Sequence, residues 1–150
     1  MSRIASLIGF VVLVVGGGLL IGYLNVPGEW YANLTKPSFN PPNWIFGPVW
    51  TILYVFIAIV GWRVWQQNPR GPATFVWTLQ LVLNFLWSPV FFTSHEIGLA
   101  LVIILTLLTT IIVFIVWEWP RDRLVSLLFV PYAAWVAFAS LLNVSILMLN

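Results

Sequence analysis

The chain has 150 residues, 61% of them hydrophobic and only 7% charged, with a mean hydropathy of +1.02. About a quarter of the residues in an ordinary globular domain are charged, so the polar coat of a soluble fold is missing here. A net charge of +2 from six basic and four acidic groups does not point to nucleic acid, and without cysteine there is no disulfide, thiol nucleophile or thiolate metal site.

The charged side chains leave five uncharged stretches, residues 4–28, 37–62, 71–95 (His95 taken as neutral), 97–117 and 124–150, each 21 to 27 residues long. A spanning helix needs about 20 apolar residues. The fold class is therefore an all-α integral membrane protein, a five-transmembrane-helix bundle forming one domain over residues 1–150. The first span is predicted over residues 4–24. It follows a basic residue, but it is too long for a signal peptide core and no small-x-small cleavage site closes it. Gly18 and Gly22 form a G-x-x-x-G pair, a spacing that lets helices approach closely, either within the bundle or at a dimer seam.

A long, Pro-rich, aromatic loop, residues 25–43, separates helices 1 and 2. Pro27, Pro37, Pro41 and Pro42 exclude a long helix there, while Trp30, Tyr31, Leu34 and Phe39 are unusual for a solvated loop. The loop is expected to fold as a lid onto the end of the bundle. The second span starts near Asn43, expected as its N-cap, and runs to about residue 65, with Pro48 able to kink it. The third covers residues 72–92, where Pro89 should bend or end it. The fourth covers residues 97–119. The fifth covers residues 124–149, with Pro131 predicted to kink its first half.

Five spans place Arg3, Arg63, Arg70, Arg121 and Arg123 on one side and only Lys36 on the other. By the positive-inside rule the basic N-terminal side is cytoplasmic, provided that the protein sits in an inner membrane. A bacterial cell or outer membrane is the expected location.

Polar groups inside spans are informative because lipid offers them no partner. Trp77, Gln80, Asn84 and Trp87 share one face of the third span. Trp135, Phe138, Ala139, Leu142 and Asn143 do so on the fifth, and Phe46, Trp50, Tyr54 and Gly61 on the second. These stripes read either as interhelical packing or as a pocket for a flat, largely apolar ligand, with Ala139 leaving room for it. One histidine cannot build a multi-His metal site. His95, in a short turn, reads as a solvated loop residue rather than a haem ligand.

Residues 30–54 read W-Y-x-x-L-x-K-P-S-F-x-P-P-x-W-x-F-G-P-V-W-T-x-L-Y. Residues 84–92 read N-x-x-W-S-P-x-F-F, and residues 131–143 read P-Y-x-x-W-V-x-F-A-x-x-L-N. These motifs resemble the signature of the tryptophan-rich sensory protein/translocator protein (TspO/MBR, peripheral benzodiazepine receptor) family over essentially the whole chain. The resemblance implies a pocket beneath the first loop that binds porphyrins (protoporphyrin IX, haem) and benzodiazepine-site ligands, with no cofactor required. It implies Trp50 and Asn84 as hydrogen-bond partners of a ligand carbonyl. Tyr31, Phe46, Tyr54, Trp87, Ala139, Leu142 and Asn143 would line the cavity beside the Phe138 stripe. Trp30 and Trp135 correspond to the pair tied to light- and oxygen-dependent porphyrin breakdown, and would be catalytic only in that case.

The resemblance leaves three functions open: a tetrapyrrole-binding receptor or regulator, a photo-oxidative porphyrin-degrading enzyme, and a porphyrin or sterol transporter. The last lacks an ion-coupling carboxylate and an inverted repeat. The expected partners are porphyrin or haem, the lipid bilayer and a second copy of the chain. Cholesterol recognition is not expected, because the chain ends NVSILMLN without the family's Tyr and basic residue.

Overall fold

The computed structural model describes residues 2–150. Six helices account for its regular structure: α1 (Arg3–Leu24), α2 (Gly28–Ala32), α3 (Asn43–Gln67), α4 (Pro72–Thr93), α5 (Ile97–Glu118) and α6 (Arg123–Leu149). All except the short α2 are long and apolar enough to cross a membrane. At 1.5 Å per residue they span about 33–40 Å, enough for a hydrocarbon core of about 30 Å.

The helices are apolar on nearly all sides, as expected where one face meets lipid and the other meets protein. Along α5, Val102, Leu105, Ile112 and Val116 are exposed to the bilayer side, whereas Ile104, Leu107, Ile111 and Phe114 are buried. Around the bundle the helices neighbour one another in the order α1, α3, α6, α5, α4, closing back on α1. The core runs down the middle through Ile57, Val60, Ile111, Phe129, Tyr132 and Val136.

At the arginine-rich end the bundle is tied by polar contacts. Arg63 grips Asp122 with Nε and Nη2 at 3.0 and 3.1 Å, and Gln67 Nε2 donates to the same carboxylate at 3.0 Å. On α1, the Ser6 hydroxyl accepts from Trp62 Nε1 and from Gln66 Nε2. Close by, Phe10 packs against Trp65 and Trp77.

The start of α3 differs from expectation. Asn43 is the first residue of α3 rather than its cap; Pro42 takes the cap position with an extended backbone. A residue before proline is disfavoured in the helical region, so the Pro41–Pro42 pair marks where α3 begins, without a side-chain cap hydrogen bond. Pro48 and Pro131 lie inside α3 and α6, where the sequence placed them, and both helices continue past them.

At Pro89, α4 neither ends nor simply breaks. It widens into a π turn over Pro89–Thr93, in which Ser94 N–H donates to Pro89 O, five residues back. Pro89, which has no N–H to donate, stands at the first position of this π turn. His95, at φ +58°, then ends the helix. A second π turn, Val12–Gly16 in α1, has no sequence signal that was read.

The loop between the first two spans is a lid, as expected. It contains α2, which buries Tyr31 against Phe91 and Phe92. The Asn150 side chain clasps it from α6, accepting from Thr35 N and donating to Thr35 O.

Candidate functional site

Beneath the lid lies a cavity of about 620 Å³ in the lid-end half of the bundle. That volume is in the range of pockets for drug-sized ligands, roughly 300–1,000 Å³. The positions singled out from sequence converge on it from four directions. Helix α3 contributes Phe46, Trp50 and Tyr54 at four-residue spacing, and α4 contributes Asn84 and Trp87. Helix α6 contributes Trp135, Ala139, Leu142 and Asn143, and the lid contributes Tyr31.

Of the residues expected to bind or act on a ligand, Phe138 and Trp30 do not reach the cavity wall. Phe138 stands one helical position aside, packed between Trp135 (5.7 Å) and Phe39 (6.4 Å). Trp30 lies outside, stacked flat on His95 at 4.1 Å and 10°. His95 itself is exposed in its turn. The α3 and α4 stripes also split: Gly61 and Trp77 sit farther toward the arginine end, where the Trp77 indole covers Gly61 and donates to Ile57 O at 2.9 Å.

The amides are held by a buried chain of hydrogen bonds. Asn84 Nδ2 donates to Tyr132 Oη at 2.8 Å, and Tyr132 Oη donates to Gln80 Oε1 at 2.7 Å. Tyr54 Oη lies 3.5 Å from Asn84 Oδ1, a long donor contact. Gln80 is 0% and Tyr132 0% exposed, so neither can find water, and each fixes the other. Asn84 therefore presents an orientated amide with one of its two N–H protons unassigned to a protein acceptor.

Asn143 plays the same part across the cavity. Its Oδ1 accepts from Trp87 Nε1 at 3.0 Å while its Nδ2 donates to Ile97 O at 3.1 Å. That pair sets the plane of the Trp87 indole, which stacks on Phe91 at 4.9 Å.

Tyr132 and Phe91 were not assigned to the site by the sequence reading. Tyr132 stands one helical turn before Trp135 on the same face of α6, which was the available signal. The walls supplied by α1, including Gly18 and Gly22, had none beyond the glycine spacing. Gly18 is needed where it is, because a β-carbon there would lie 2.3 Å from the Tyr54 ring.

No Asp, Glu, Lys, Arg or His among the described residues lines the cavity, and no cluster of three metal-ligating side chains occurs among them. The wall is indole, phenol, phenyl and amide. It suits a flat, polarisable, largely apolar molecule held by stacking and a few hydrogen bonds, and it holds no proton-transfer group of its own in the usual acid–base range. Trp135 Nε1 is buried without an acceptor, a deficit of the kind that costs about 1–3 kcal/mol. On the lid, burial pushes the Tyr31 phenol above its ordinary value, with the Asn40 side chain opposing the shift.

Residues 10–149 match the model of the TspO/MBR family. Among the similar proteins is the tryptophan-rich protein TspO of Archaeoglobus fulgidus, 45% identical over 81% of this chain and 80% of its own length. The tryptophan-rich sensory protein of Cereibacter sphaeroides is 36% identical over 90% of this chain and 85% of its own. The translocator protein of Homo sapiens is 36% identical over 84% of this chain and 79% of its own.

Proposed function

The chain belongs to the TspO/MBR family and is an integral, multi-pass membrane protein, and from that premise we propose that it is a membrane receptor or regulator whose cavity binds a tetrapyrrole such as protoporphyrin IX or haem. The observation that carries this reading is the cavity wall itself: three indoles, Trp50, Trp87 and Trp135, around about 620 Å³ with no charged group facing in. A macrocycle stacks on such a wall, and Trp50 Nε1 and the Asn84 amide can meet a polar edge. The same features admit synthetic aromatic ligands that carry a carbonyl. In an inner membrane, the arginine bias would place the arginine-rich end in the cytoplasm and the lid outside.

Light-driven porphyrin breakdown would need an indole against the macrocycle. Trp135 meets that requirement, but Trp30, stacked outside on His95, does not. Binding without obligatory turnover is accordingly the favoured reading. Haem would be held by the aromatic wall rather than by an axial histidine, since His95 lies off the cavity.

Tryptophan quenching by protoporphyrin IX in detergent tests the proposal, with Ala139→Trp filling the cavity. Wild type should quench saturably, and folded Ala139→Trp, checked by circular dichroism, should lose the saturable phase. Equal quenching in both proteins would mean surface partitioning and would refute the reading.

A further inference from the structure

We propose that the cavity fills sideways from the bilayer, through a glycine-rimmed window between α1 and α3, and not from water past the lid. The proposal concerns the route and the phase from which a ligand comes, and it depends on the cavity rather than on the identity of the ligand.

The two helices are tightly joined only toward the arginine end. There Ser6 bonds to Trp62 and Gln66, and Phe10 packs on Trp65. After the π turn at Val12–Gly16, which adds a residue to one turn and rotates the face that follows, α1 leans toward α4. A β-carbon on Gly17 would lie 3.0 Å from the Phe85 ring of α4. At its end, Asn25 Oδ1 accepts from Thr93 at the end of α4.

The last close approach of α1 to α3 is Gly18 on Tyr54. Beyond that floor, Gly22 on α1 and Gly47 on α3 both line the cavity, and a β-carbon on either would meet nothing within 4 Å. Leu19 lines the cavity while 51% exposed. The large neighbours that could have bridged the gap point away, with Tyr23 at 78% and Trp44 at 73% exposure. Gly18 lies six residues from the end of α1, so the window reaches about 9 Å into the span, at acyl-chain depth in the lid-side leaflet.

The lid narrows the route from water. Tyr31 is buried under the lid at 7% exposure, Trp30 and His95 stack over its flank, and Asn150 clasps Thr35 through two hydrogen bonds. A window in hydrocarbon beside a clasped lid favours molecules that first dissolve in the membrane.

The absence of cysteine permits a test that needs no natural ligand. Ala139→Cys places one thiol in the cavity of the full chain, reconstituted in phosphatidylcholine vesicles. Its labelling rate is compared for a membrane-partitioning pyrene maleimide and a membrane-impermeant sulfonated maleimide, each normalised to the denatured protein. The pyrene reagent should react at least tenfold faster. Gly47→Trp, or independently Gly22→Phe, should slow it at least tenfold, because a β-carbon at either position meets nothing within 4 Å and the ring beyond it would stand in the window. Asn150→Ala, which releases the lid clasp, should leave the pyrene rate within twofold. Faster labelling by the sulfonated reagent, an unchanged pyrene rate in both rim variants, or acceleration by Asn150→Ala alone would overturn the proposal. Loss of porphyrin quenching, by contrast, bears only on the proposed function.

Discussion

Gly61→Ala in α3 is expected to destabilise the bundle, although alanine is the better helix former. In an unobstructed helix the exchange gains up to about 1 kcal/mol. At Gly61 the new methyl would lie 2.2 Å from Trp77 Cζ2 and 2.3 Å from Cε2. Trp77 is 4% exposed and its Nε1 is tied to Ile57 O at 2.9 Å, so the ring cannot swing away cheaply. Overpacking of this kind costs about 1–3 kcal/mol, and losing the indole hydrogen bond adds about 1 kcal/mol. Against the gain in propensity, the net loss is about 1–3 kcal/mol. Gly47→Ala, in the same helix but with nothing within 4 Å of its β-carbon, should be neutral or stabilising by up to about 1 kcal/mol. Equilibrium unfolding in mixed micelles, followed by near-UV circular dichroism, separates the two. Gly61→Ala at or above wild-type stability would refute the argument that Trp77, held by Ile57 O, packs too closely on Gly61 to admit a methyl group.

Tyr132→Phe keeps the ring packing but leaves Gln80 Oε1 and Asn84 Nδ2 without their shared hydroxyl. A loss of about 2–4 kcal/mol is expected, together with weaker porphyrin affinity, and unfolding paired with quenching titrations measures both. Asp122→Ala removes the acceptor of Arg63 and Gln67 at the arginine end. Because Arg63 keeps 35% of its side-chain surface exposed, the expected cost is only about 1–2 kcal/mol, below that of a fully buried pair. Porphyrin affinity should be unchanged, since the pair lies at the far end from the cavity.

Much of this protein is legible in one dimension. Bilayer thickness converts uncharged run length into a number of spans, so five helices emerged from charge spacing, and local cap, proline and linker signals put their ends within about two residues of those observed. Helical periodicity likewise placed Phe46, Trp50 and Tyr54 on one face, and Asn84 and Trp87 on another, because 3.6 residues per turn is a local property. Trp77 and Gly61, which share those stripes, were drawn toward the cavity by the same periodicity but pack together below it. A stripe records which way a side chain faces and not at what height a neighbour meets it.

Long-range contact decided the rest. That Asn84 and Asn143 are each held by a partner, through Tyr132 and Trp87, depends on residues 48 and 56 positions away, a pairing that no local pattern encodes. The lean of α1 from α3 toward α4 follows from a π turn without a proline to announce it, and from Asn25 meeting Thr93. Pro89 was visible as a disturbance that should bend or end the helix, but the π turn it opens, with Phe91 and Phe92 packed under the lid, appears only in the folded bundle. Run length and period are properties of the chain; the cavity, its clasped lid and its open flank exist only once five helices choose their neighbours.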